Sequence, residues 1–193
     1  EKNNKDMVSY LIDYGAEKNS NENLAKAKAF TPLQYAIHNN NKEMITLLVN
    51  KGANINYGQF NYYTPLQYAI RSSTEDMVLY LIKEKRALVD YKASNGSTAM
   101  RVAIDAEKKN MISLLLKNGL KVNKAGADGK TPLENAIDCN KPQMVTYLID
   151  TEDASATKKN NGYTPLEYAQ KLGRQEIVKI LESKQKRNSI FRW

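Results

Sequence analysis

One short phrase returns five times along this chain, as Thr31-Pro32-Leu33, Thr64-Pro65-Leu66, Thr98-Ala99-Met100, Thr131-Pro132-Leu133 and Thr164-Pro165-Leu166. Successive threonines stand 33, 34, 33 and 33 residues apart. A period of that length calls for units that stack on one another, because no single unit can bury its own apolar face.

A second signal keeps step with the first. Met44, Met77, Met111, Met144 and Ile177 each lie 13 residues after the matching threonine. The runs that begin at the four methionines place apolar residues at i, i+1, i+3 and i+4, the stripe of a helix packed on one side. An earlier copy, Met7-Val8-Ser9-Tyr10-Leu11, has no such phrase before it, so the chain opens inside a repeat. The expected organisation is a partial repeat over 1–30, repeats starting near 31, 64, 98, 131 and 164 within a repeat domain of residues 1–182, and a basic-aromatic extension over 183–193.

Each phrase reads as a helix start. The threonine hydroxyl caps free N–H groups, and proline in the first turn lacks only a donor that would go unused. Five residues after each threonine stands an alanine, namely Ala36, Ala69, Ala103, Ala136 and Ala169, small enough for paired helices to approach closely. Gly15, Gly52 and Gly119 supply the left-handed position that ends a second helix, and Asn95-Gly96 and Asp128-Gly129 suit tight turns. The fold class is an all-α-dominated repeat solenoid of helix-turn-helix units joined by hairpin-like loops.

On these residues the chain resembles the ankyrin repeats, with their 33-residue period and Thr-Pro-Leu-His-x-Ala signature. Gly52-Ala53-Asn54-Ile55-Asn56 and Gly162-Tyr163-Thr164-Pro165-Leu166 are similar to the segments that flank the family's helices. Departures are visible too. The family's histidine is replaced by Gln34, Gln67, Arg101, Glu134 and Glu167, which removes its threonine-to-histidine hydrogen bond. The third unit has Ala99 and Met100 in place of proline and leucine and follows an extra residue near Lys85-Arg86, so the stack is expected to be weaker there. The first loop, Lys18 to Phe30, is longer than its equivalents and is expected to project as an irregular finger.

Composition narrows the function. Cys139 is the single cysteine and His38 the single histidine, so no internal disulfide and no zinc-type spacing exist, and a reducing compartment, cytoplasm or nucleus, is expected. No apolar run approaches the roughly 20 residues that span a bilayer. The net charge of +8 raises nucleic acid or an anionic membrane as a partner. Yet the lysines spread over every loop class, with Lys42, Lys108, Lys109 and Lys141 between paired helices and Lys92, Lys124, Lys158 and Lys159 near hairpin tips. That is a coat and not a groove.

Catalysis finds little support, since a nucleophile needs a base within reach and Cys139 and His38 fall three units apart. Cys139 reads as a half-buried thiol at the end of a first helix, and Asn95-Gly96-Ser97 as a turn and not a glycosylation site. No cofactor or metal is expected. The row His38, Arg71, Asp105, Asp138 and Lys171 recurs once per unit on the first helices, where packing at about 8–10 Å would bring Arg71 near Asp105, and Arg101 near Glu134.

In ankyrin-like proteins the hairpin tips and exposed sides of the first helices line a concave binding surface, and the resemblance carries that role to matching positions here. Tyr57-Gly58-Gln59-Phe60-Asn61-Tyr62-Tyr63 stands out for its aromatics, which Phe30 and Tyr91 would extend into an interface patch. The expected partner-binding residues are Phe30, His38, Asn39, Phe60, Asn61, Tyr62, Tyr63, Arg71, Ser72, Asp105 and Asp138, aromatics anchoring and the polar row selecting. The segment Lys184 to Trp193 is expected to cap the last unit.

The sequence therefore reads as a non-enzymatic scaffold that binds a partner protein, a monomeric module of a longer chain. The alternatives are an electrostatic binder of nucleic acid or anionic membrane, or the targeting module of a larger enzyme or of a pathogen effector acting in host cytosol.

Overall fold

A computed structural model of the chain describes residues 31–58 and 63–190. Among these residues there are ten α-helices and no strand. The chain divides into two compact units, residues 1–96 and 97–193. The first holds α1 (Pro32–His38), α2 (Lys42–Asn50), α3 (Pro65–Ser72) and α4 (Glu75–Lys83). The second holds α5 (Ala99–Asp105), α6 (Lys109–Lys117), α7 (Pro132–Asp138), α8 (Pro142–Asp150), α9 (Pro165–Lys171) and α10 (Gln175–Ile190). In the first unit α1 packs on α2 and α3, and α3 on α4; in the second α5 packs on α6 and α7, α7 on α8 and α9, and α10 on α8 and α9. Each unit is thus an all-α stack of helical pairs.

The cap that opens each first helix is more complete than the sequence suggests. Each threonine hydroxyl accepts the N–H of the residue three further on, at 3.2 Å from Gln34, Gln67, Glu134 and Glu167 and 3.3 Å from Arg101. Gln34, Gln67, Glu134 and Glu167 return the bond, their side chains accepting the threonine N–H at 3.0, 3.1, 2.8 and 2.7 Å. These residues stand where the family's histidine would be and close a capping box in its place. Arg101 has no acceptor to offer, and α5 also lacks the proline, so it keeps only the hydroxyl half of the cap.

The five alanines are 0–2 % exposed and lie where paired helices meet. Four residues after each methionine or its equivalent, Leu48, Leu81, Leu115, Leu148 and Leu181 are equally buried, 0–2 % exposed, and each such side chain contributes about 1.5–3 kcal/mol. The second helices also hook onto one another through tyrosine. The Tyr80 hydroxyl donates to the Lys42 carbonyl at 2.9 Å and meets Thr46 Oγ1 at 2.7 Å, and Tyr147 repeats the contact with the Lys109 carbonyl and Ser113 at 3.3 and 2.7 Å. Lys42–Asp76, Lys141–Glu107 and Lys184–Asp150 join neighbouring repeats at 2.6, 2.8 and 2.6 Å, pairs open to water on at least one side that add little to stability.

Second helices end in two ways. Gly52 and Gly119, at φ 90° and 118°, take the left-handed position as expected. In the other two repeats Arg86 and Asp153 occupy it, at φ 55° and 56°, and the chain is one residue longer there. The bond that closes the helix runs from Ala53 to Leu48 and from Leu120 to Leu115, but from Ala87 to Leu81 and from Ala154 to Leu148. The extra residue near Lys85-Arg86 accounts for the 34-residue spacing, whereas the fourth repeat makes up its own with a loop one residue shorter before Thr164.

The last helix does not stop at 182. It runs on to Ile190, with Lys184 bound to Asp150 and Gln185 Nε2 donating to the Ala156 carbonyl at 3.3 Å. The start of the segment expected as an extension is therefore a continuation of the last helix, held against the repeat before it.

Candidate functional site

In the first unit the helix starts bring aromatic and cationic side chains together. Tyr63 stands just before the cap of α3, and Arg71 lies two turns along the same helix. The Arg71 guanidinium is 5.5 Å from the Tyr63 ring centre, and its Nη1 donates to the Tyr63 hydroxyl at 3.0 Å. Gln34 fixes the approach to this tyrosine. Having accepted from Thr31, its amide donates through Nε2 to the Tyr63 carbonyl at 2.6 Å. On α1, Tyr35 is 62 % exposed, and His38 Nδ1 lies 3.0 Å from the hydroxyl of Tyr68, whose ring is buried. Asn39, exposed at the end of α1, donates to the Tyr35 carbonyl at 2.9 Å, and Ser72 is exposed at the end of α3.

The structure thus joins Tyr63 to Arg71 and His38 to Tyr68, and leaves exposed on α1 a ring, Tyr35, that the sequence reading missed. The signal was present, since Tyr35 and Tyr68 share one position in their repeats, but only packing decides that one is exposed and the other buried. Phe30, Phe60, Asn61 and Tyr62 lie outside the described residues.

The second unit repeats the aromatic–cation device. Lys171 Nζ sits 4.3 Å from the Tyr163 ring centre and donates to its hydroxyl at 3.1 Å, with the same eight-residue separation. The Tyr168 ring lies 6.5 Å away.

Asp138 departs from expectation. Its side chain is 12 % exposed, and it serves internal partners. Arg101 Nη1 donates to Oδ2 at 3.1 Å, Lys130 Nζ donates to the same oxygen, and the Tyr168 hydroxyl donates to Oδ1 at 2.6 Å. Burial pushes the carboxyl up, but the hydrogen bonds from Lys130, Tyr168 and Arg101 outweigh it and leave Asp138 below the usual carboxylate range. Lys130 is raised in turn: burial works against its charge, and the bond to Asp138 overcomes that.

Arg101, expected opposite Glu134, therefore reaches past it to Asp138. Glu134 is 5 % exposed, because a side chain at that position turns back into its own cap. It accepts from Thr131 N at 2.8 Å and from Asn160 Nδ2 at 2.6 Å. Asp105 is exposed at the end of α5. Cys139, half-buried at the end of α7, has its thiol pushed up by burial, which keeps it protonated and a poor nucleophile. Among the described residues no cluster of His, Cys, Asp and Glu is arranged to hold a metal ion, and no helix is long and apolar enough to cross a membrane.

The arrangement offers exposed rings, fixed cations and short loops, the chemistry of recognition. No curated protein matches the chain. The family model described as ankyrin repeats (3 copies) matches residues 1–93, 57–126, 85–160 and 121–190. Such repeats are generally protein–protein interaction modules and typically not enzymes. Period, capped helix pairs and family match agree, and the chain belongs to the ankyrin repeat family.

Proposed function

We propose that this chain is a non-enzymatic scaffold that holds a partner protein on the first helices and hairpin tips of its repeats, working in the cytoplasm or nucleus as a module of a longer protein. One observation carries the reading: cations are already fixed against tyrosine rings, Arg71 on the half-buried Tyr63 in the first unit, which also bears the bare ring of Tyr35, and Lys171 on the exposed Tyr163 in the second. A side chain held in place before the partner arrives loses less entropy on binding, where each free one costs about 0.5–1.5 kcal/mol. Aromatic and arginine anchors of this kind carry most of the energy of protein interfaces. Phe30, Phe60, Asn61 and Tyr62 extend the proposed site by their position in the sequence. His38, Asn39, Ser72 and Asp105 supply its polar contacts, while Asp138 acts by holding Arg101 and Lys130 in place.

The test is crosslinking in native lysate followed by mass spectrometry, with the unaltered chain and a Tyr35→Ala/Arg71→Ala variant. The reading expects crosslinks to one partner at residues 31–72 that vanish in the variant, with helical circular dichroism unchanged. Equal crosslinking by both proteins rejects the site. Nucleic acid or acidic vesicles as the true ligand would appear as binding that added salt abolishes steeply.

A further inference from the structure

Lys124, Lys158 and Lys159 look unrelated in the sequence, 34 and 35 residues apart, yet the second unit folds them around one opening. A pocket of about 320 Å³ lies between the loops of successive repeats. Val122, Leu133 and Pro165 form its apolar lining, and the three lysines, all exposed, stand about it. The walls are fixed. Asn123 donates through Nδ2 to the Asp153 carbonyl at 3.0 Å, accepts from Ser155 N at 2.6 Å, and receives Lys158 Nζ on its own carbonyl at 3.2 Å.

The pocket also contains a carboxylate, Glu134, which is already occupied by Thr131 and Asn160. No ion pair among the described residues uses Lys124, Lys158 or Lys159. Lys159 does act on Glu167: hydrogen bonds from Thr164 lower that carboxyl first, and the nearby lysine adds to the effect. Three cations against Glu134 and the neighbouring Glu167, each carboxylate already bound in its threonine's cap, leave a net positive charge around an apolar floor.

We propose that this pocket is the anchor site for an acidic segment of a partner polypeptide, one aliphatic side chain entering onto Val122, Leu133 and Pro165 while carboxylates on either side of it meet Lys124, Lys158 and Lys159. The proposal rests on the protein-binding reading above and names the chemistry of what is bound. Three features select this occupant. The volume falls at the low end of ligand clefts, about 300–1,000 Å³, which suits one side chain and not a nucleotide cofactor. The three cations come from the loops of two successive repeats, Lys124 from one and Lys158 and Lys159 from the next. An extended segment, rising about 3.3 Å per residue, carries several carboxylates past them, where one small anion meets them at a single point. Finally, no aromatic residue lines the pocket, so it lacks the stacking platform on which single-stranded nucleic acid relies.

The experiment titrates the isotope-labelled full chain with the blocked nonapeptide Gly-Ser-Glu-Glu-Leu-Glu-Glu-Ser-Gly and follows backbone amide resonances. Saturable shifts at Val122, Ala125 and Asn160 are expected, with affinity that falls as salt is added. The triple variant Lys124→Glu/Lys158→Glu/Lys159→Glu should weaken binding at least about tenfold, and Ala125→Trp, which fills the pocket, should abolish it. A peptide with glutamine in place of glutamate, or serine in place of leucine, should bind far more weakly. Equal binding of the glutamine peptide, no binding at millimolar concentration, or tighter binding of oligothymidylate at the same amides would each overturn the proposal. The two readings fail separately. Peptide binding here together with crosslinks untouched by Tyr35→Ala/Arg71→Ala removes the first-helix site alone; an inert peptide together with crosslinks lost in that variant removes the pocket alone.

Discussion

Replacing Asp138 by asparagine removes one negative charge from beneath two cations and a phenol. The pair geometry is close, yet Arg101 and Lys130 remain 37 % and 35 % exposed, so both reach water once the carboxylate is gone. A fully buried pair broken from one side costs about 3–5 kcal/mol, and exposed pairs about 0–1. A 12 % exposed carboxylate with partly solvated partners belongs between these limits, and we expect a loss of about 1.5–2.5 kcal/mol at neutral pH. Asparagine keeps the shape and one oxygen, so packing does not account for the loss. The acid limb supplies a second readout. Because the folded carboxyl lies below its ordinary value, its stabilisation is complete above the unfolded carboxylate pKa of about 4 and fades as pH falls through the folded value. Urea titrations of both proteins at pH 7 and at steps below pH 4 should show the gap between them closing as acid is added. A difference under about 0.5 kcal/mol at pH 7, or a gap that stays constant into acid, would refute the reasoning.

Thr131→Ala opens a capping box and leaves the N–H of Glu134 without its acceptor, which should lower stability by about 1–2 kcal/mol by urea denaturation. Ala136→Leu places bulk where the site is 0 % exposed between packed helices, and a loss of about 1–3 kcal/mol with a lower melting temperature is expected. Glu107→Asn should instead stabilise by about 0.5 kcal/mol, because Glu107 holds a left-handed φ of 54° that asparagine tolerates better, and only an exposed pair with Lys141 is given up.

The repeat, its helix starts, the close-packed alanines and the glycine ends could be read from the chain because each is a short-range rule tied to one landmark, the threonine. Features that depend on a neighbour were hidden. Gln34 and Glu134 looked like losses of a family histidine, and only the folded backbone shows their side chains returning to the cap. Asn40, Glu107, Asn140 and Gly173 all take positive φ in the turn between paired helices, but such different side chains give no common signal. Asp138 read as a residue that selects a partner because its internal partners Lys130 and Tyr168 come from a loop and from the next repeat. Tyr35 was passed over for a similar reason, since exposure is decided by what stacks above it. The tip lysines read as a scatter, and stacking gathers three of them.

The fourth repeat carries a lesson for anyone cutting and joining such chains. Its overall count matches its neighbours, but it spends one residue more where its second helix ends and one fewer on the way to Thr164. A chimera that grafts residues 131–154 onto the tail of another repeat would reach its next threonine a residue late, and one that grafts the complementary piece a residue early, a slip of about 3.3 Å along extended backbone. Splices placed at the threonines avoid this, because there the two halves of the discrepancy travel together.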